Sequence, residues 1–139
     1  MDQPTEYGPM PVLLGMLLCD HVIVEQGTSK KSLIGIFDRV FANVFPTFQQ
    51  MTVYVRLIDA QGAYKFKLDF VDIERDTVIR SMETELMHIA DRFEAYELII
   101  RSTVQLQRAG LHEFRLFANE AFIGSISFRV IPGDIASGR

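Results

Sequence analysis

The sequence predicts an all-β domain, an antiparallel sandwich of about eight short strands. Three observations carry that expectation. Almost every apolar segment has period two, the repeat of a strand with one buried face, and not the 3.6 of a helix. Turn residues break these segments at fairly regular intervals, as in a sandwich of short strands. The chain has 139 residues, which fits one domain large enough to bury a core without staples.

The elements follow in order. Residues Met1 to Pro11, with Pro4, Gly8 and Pro11, read as an irregular arm. Val12 to Cys19 and Ser32 to Phe41 are apolar on both faces, as expected of strands in the middle of a packed sheet, and the polar stretch Glu25 to Lys31 joins them. In Met51 to Ile58, Val53, Val55 and Leu57 share one face. In Tyr64 to Phe70, four apolar residues alternate with Lys65, Lys67 and Asp69, the pattern of a half-buried strand. Asp59-Ala60-Gln61-Gly62 lies between these two runs and predicts a hairpin. Val78 to Ile89 reads as one further strand, with a bulge or a helical turn around Met82 to Glu85.

The C-terminal third alternates most clearly. Leu98, Ile100, Val104 and Leu106 line one face of a strand. His112, Phe114 and Leu116 line the next, Asn119-Glu120 turns the chain, and Phe122, Ile126, Phe128 and Val130 return it. Phe66, Leu68, Leu98, Ile100, Phe114, Leu116, Ile126 and Phe128 are therefore expected to meet in one core. The expected divisions are an arm over residues 1–11, a single sandwich over 12–131 and a flexible tail over 132–139.

Composition narrows the functional classes. Apolar residues make up 48% and charged residues 23%, values of a folded domain and not of a disordered chain. Fourteen basic against 18 acidic residues give a net charge of −4, and no basic run exceeds Lys30-Lys31. A nucleic-acid partner is not expected, because phosphate binding needs a basic stripe, and adsorption to anionic membrane is disfavoured for the same reason. The apolar run ending at Cys19 is too short to span a bilayer. It also lacks the preceding basic residues and the small residue before cysteine that a lipoprotein signal requires. One cysteine forms no intramolecular disulfide, and the expected compartment is the cytoplasm.

Two stretches resemble known proteins. Gly110-Leu111-His112-Glu113-Phe114 followed by a hairpin resembles the last two strands of immunoglobulin-like Greek-key domains, and this likeness implies that topology for the sandwich. Cys19-Asp20, Lys31 to Phe37, Phe45-Pro46 and Gly62-Ala63-Tyr64 resemble an uncharacterised bacterial family of small β-sandwich proteins. That resemblance implies the fold and carries no catalytic residues with it.

The residues with chemical capacity read mostly as structural. Cys19 and His21 share a strand face, the ingredients of a cysteine nucleophile, but a catalytic pair normally comes from separate elements, and a free cysteine is commonly buried. His21, His88 and His112 lack metal-ligand spacing, and His112 is expected as a partly buried ring bonded to backbone. Asp69, Asp72, Glu74 and Asp76 cluster around one turn without the loop pattern of a calcium site, and calcium at Asp72, Glu74 and Asp76 stays open. Gly27-Thr28-Ser29-Lys30 lacks the P-loop spacing, and no serine-nucleophile elbow surrounds Gly124-Ser125. No catalytic residue, metal or cofactor is assigned.

The expectation is a non-enzymatic protein-interaction or assembly module whose partner is another protein or a second copy. The alternatives are a small-ligand or carbohydrate-binding sandwich, disfavoured for sugars by the absence of tryptophan, and an uncharacterised hydrolase. The interaction surface is expected at Phe41, Val44, Phe45 and Phe48, which break the period-two pattern around Pro46. Such rings either plug the open end of the sandwich or form an exposed rim.

Overall fold

The computed structural model describes residues 8–134; residues 1–7 and 135–139, which hold much of the expected arm and tail, lie outside the described residues. Eleven strands and no helix run through the described part. They are β1 (Val12–Val24), β2 (Lys31–Ile36), β3 (Arg39–Ala42), β4 (Thr47–Ile58), β5 (Gly62–Tyr64), β6 (Phe66–Asp72), β7 (Thr77–Glu83), β8 (Met87–Ile89), β9 (Tyr96–Leu106), β10 (Gly110–Ala118) and β11 (Ala121–Pro132). One sheet has the order β2-β1-β4-β9, a second the order β3-β11-β10-β6-β7, and β5 with β8 forms a small ribbon.

Both large sheets contribute their inward faces to one core. Leu18, Met51, Val53, Val55 and Leu98 come from the first, and Phe66, Leu68, Phe70, Phe114, Leu116 and Phe128 from the second. Of the eight residues expected in the core, six are fully part of it, and Ile100 and Ile126 pack against it while partly exposed. Phe114 lies opposite Phe70 on one neighbouring strand and Ile126 on the other. Its ring is 5.1 Å from that of Phe70 and 6.0 Å from that of Phe128, spacings at which offset aromatic pairs attract.

Four expectations are corrected. Met51 to Ile58 and Tyr64 to Phe70 do not form a hairpin, because β4 belongs to the first sheet and β6 to the second. The segment between them is a corner that takes the chain from the first sheet to the second: Asp59 at φ 69° and Gly62 at φ 124° turn the chain sharply, and β5 pairs with β8 instead. Ser32 to Phe41 is not one central strand. It divides into β2 and β3, each at the edge of a different sheet. Val78 to Ile89 likewise divides into β7 and β8, with Thr84 turned back to the start of β6 through its backbone and side-chain bonds to Phe66. Finally, the sheets are not wholly antiparallel, since β3 runs parallel to β11.

The turn at Asn119-Glu120 is the one expected. Two residues connect β10 to β11, both at positive φ (48° and 72°), the hairpin geometry that matches the strands' right-handed twist. Asn119 fits because its side chain substitutes for a strand: its Oδ1 accepts from the Lys65 N–H at 2.9 Å and its Nδ2 donates to the Ala63 carbonyl at 3.1 Å. β11 continues through Pro132, paired with Ala42, and the Gly133 N–H donates to the Ala42 carbonyl at 3.2 Å.

Candidate functional site

The β3–β4 connection, joining an edge of the second sheet to the first, carries Val44 and Phe45, and the strand ends on either side carry Phe41 and Phe48, the other two residues singled out in the sequence. The structure separates them. Phe45, which precedes a cis bond to Pro46, packs against the core. Val44 is 71% exposed and Phe48 67% exposed. Phe48 lies on β4 in the phase of Gln50, Thr52 and Tyr54, opposite to the inward phase of Met51 and Val53, so it leaves the sheet on its outer side. Phe41 is half-buried on β3. The plug and the rim thus coexist, with Phe45 in the first role and Val44 and Phe48 in the second.

Phe41 also lines an open cavity of about 460 Å³ with Asp20, Gly35, Ile36, Phe37, Asp38, Arg39, Val40 and Gln49. The cavity lies where β1 and β2 part from the rest of the first sheet. Gly35 sits at φ 71° and carries no Cβ, which would collide with the Asp20 carboxylate. Asp38 and Arg39 form an exposed ion pair at 3.4 Å. The lining is therefore mixed, with Asp20, Asp38, Arg39 and Gln49 set among apolar side chains. Sequence reasoning missed this site because its residues come from β1, the end of β2, β3 and β4, and no local pattern brings them together.

A polar cluster on the outer face of the first sheet was also missed. Glu97 on β9 lies beside Arg56 on β4 and pairs with its guanidinium at 3.1 Å. The Tyr54 hydroxyl donates to the same carboxylate, and Lys31 Nζ lies 2.6 Å away on its other oxygen. Burial raises the Glu97 pKa, but Lys31, Tyr54 and Arg56 outweigh it and hold the carboxyl below its ordinary value. Burial first, and then the bond to Glu97, raise the Tyr54 pKa. The signal was present in the outward phase of two strands; their register was not.

The remaining candidates stay apart. Cys19 is fully buried, whereas His21 is exposed. Burial and the adjacent Asp20 charge raise the thiol pKa, against a smaller opposing hydrogen bond from the His21 backbone. That environment suppresses the thiolate a nucleophile needs. His112 is fully buried, stacked 5.5 Å from Phe70 and 5.8 Å from Phe128, with Nδ1 3.0 Å from the Gly110 carbonyl. Its Nε2 has no hydrogen-bond partner among the described residues. Asp72 is buried, accepts from the Arg75 N–H and pairs with Arg108 at 3.0 Å, while Asp69 accepts from Ser81 at 2.6 Å. Among the described residues no group of three or more His, Cys, Asp or Glu side chains is placed to hold a metal ion. No described helix is long and apolar enough to cross a membrane.

These features define a small all-β protein whose sheets enclose one aromatic core. The chain belongs to a family of unknown function (DUF6941), whose model matches residues 14–131. No curated protein matches it. Among solved structures it is similar to the alkylpurine DNA glycosylase AlkC of Pseudomonas fluorescens, bound to DNA containing an abasic site analogue. The identity is 10%, with a TM-score of 0.45, over 84% of this chain and 30% of that one. The chain thus spans under a third of that protein's length.

Proposed function

We propose that this chain is a non-enzymatic protein-interaction or assembly module, built as an immunoglobulin-like Greek-key sandwich and acting in the cytoplasm. Strand order supports the topology. β4 and β9 lie in one sheet and β6, β10 and β11 in the other, interleaved along the chain as strands B, E and C, F, G of an immunoglobulin domain are. The observation that carries the interaction reading is the exposed rim of Val44 and Phe48 beside the anchored Phe45. Large apolar side chains held outward by a buried neighbour are the usual furniture of a contact surface.

The test is a pair of substitutions on each side of that division. Val44→Ser with Phe48→Ser should melt close to the parent and lose self-association or a co-purifying partner, read by analytical ultracentrifugation and by affinity capture. Phe45→Ser should instead melt well below it. A double variant that loses stability while its assembly is unchanged overturns the reading.

The cavity beside Phe41 favours a second reading, a small-ligand-binding sandwich. Its volume falls in the range of ordinary ligand sites, and its mixed wall suits a small amphipathic molecule. If the double variant keeps both the fold and the assembly of the parent, this second reading takes precedence.

A further inference from the structure

The contacts of the β1–β2 hairpin require it to fold back over the outer face of the first sheet. β1 pairs with β4 from Val12 to Cys19 and with β2 from Cys19 to Val24. Lys31 stands opposite Val24, whereas Glu97 stands beside Arg56, which faces Gly15. Along a straight strand those two levels are about 30 Å apart at roughly 3.3 Å per residue, far beyond a lysine side chain. Lys31 Nζ nevertheless lies 2.6 Å from Glu97. The bend begins directly after Cys19. Thr52 points away from the core, since Met51 and Val53 point into it, and its hydroxyl donates to the Asp20 carbonyl at 3.4 Å.

Burial agrees with a covering hairpin. Cys19 follows the core residue Leu18 and lies outside the core cluster, as does Thr52, yet they are only 0% and 2% exposed. Leu17, on the same outer side, is 39% exposed. Beyond the bend, Val22 is buried while Ile23 and Ile34 stay exposed.

We propose that this hairpin is a hinged strap, held shut over Cys19 and Thr52 by the Lys31–Glu97 ion pair, which opens as a unit while the two-sheet core stays folded. No residue from Cys19 to Ile36 belongs to the core cluster. The base is anchored independently, by the pairing of Val12 to Leu18 with β4 and by the Phe37 N–H donating to the Leu18 carbonyl at 3.0 Å. Segments with few core contacts open at lower free energy than the whole domain. The ion pair is partly shielded from water and has one close charge-assisted contact, which makes it the element that sets how often the strap opens.

Cys19 is the chain's one cysteine and reports opening directly. The full-length protein is treated with a small thiol reagent at fixed pH, across low denaturant concentrations, and the labelling rate is compared with global unfolding. Lys31→Met should label about three- to tenfold faster than the parent, the scale of one partly buried ion pair, with the melting temperature lowered by no more than the few degrees that the same loss implies. Glu97→Gln should accelerate labelling similarly, and Lys31→Arg should return it towards the parent. In the parent, labelling should depend on denaturant far more weakly than unfolding does. Equal rates in parent and Lys31→Met overturn the strap. So does a parent rate as steep in denaturant as global unfolding, a readout that decides the matter even where a variant folds poorly.

Discussion

Identical residue types meet different fates here, and phase and partner decide which. Phe114 alternates inward on β10 and lands between Phe70 and Phe128, with no exposed surface. Phe114→Ala should therefore cost about 3–5 kcal/mol, the range for a large ring removed from a close-packed core, measured by urea or thermal unfolding. An unchanged midpoint would mean that the strand phase is wrong. Phe45 and Phe48 are three residues apart, and one packs on the core while the other projects outward. Extending the β4 alternation back from Met51 assigns Phe48 to the outer side, so its exposure was legible. Phe45 lies before the strand begins, where no period applies and only the path of the connection decides.

At the level of elements, the β10–β11 hairpin was legible because its information is local. Alternating apolar residues flank a two-residue turn whose asparagine tolerates positive φ. Glu120 at φ 72° has no such tolerance, since its Cβ crowds the backbone in the left-handed region. Glu120→Gly should raise stability by about 0.5–1 kcal/mol, seen as a higher midpoint in chemical unfolding with an unchanged slope; a lower midpoint would show that the side chain contributes more than its strain costs. The β4–β6 connection misled for the complementary reason. A short turn-forming segment between two alternating runs looks the same whether the second strand returns beside the first or crosses to the facing sheet. The difference lies in the pairing of β5 with β8 and in the contacts of Asp59, whose N–H donates to the Arg92 carbonyl at 3.0 Å and whose carboxylate accepts from the Arg92 side chain at 2.9 Å. That partner lies 33 residues away.

Across the whole molecule, the polar cluster at Glu97 joins β2, β4 and β9 and gives stability a pH dependence. Its folded-state pKa is depressed, so the folded state binds a proton less readily than the unfolded chain does. The resulting stabilisation is present above the ordinary carboxylate value of about 4.3 and is lost as pH falls through the lower folded-state value. Glu97→Gln should lower the melting temperature near neutral pH. The gap from the parent should close on acidification below about pH 4, as followed by thermal unfolding over a pH series. A gap that is constant with pH would assign the loss to shape rather than charge.

What the sequence determined by itself was the all-β class, the inward phase of the core residues and the tight turn at Asn119-Glu120. Each follows from period and turn chemistry within a few residues. The division of strands between two sheets, the parallel pairing of β3 with β11, and the edge positions of β2 and β3 were decided only in the folded chain. Period-two alternation states which face of a strand is apolar and nothing about which strand lies beside it. The apolar runs through Val12 to Cys19 and Ser32 to Phe41 read as central for the same reason. The first pairs on one side only, with β4, as far as Leu18 and keeps Val12, Leu14 and Leu17 exposed, and β2 leaves Ile34 and Ile36 exposed at a sheet edge. Burial depends on what covers a face, and the hairpin that covers Cys19 bends onto the sheet through contacts between residues as distant in sequence as Lys31 and Glu97.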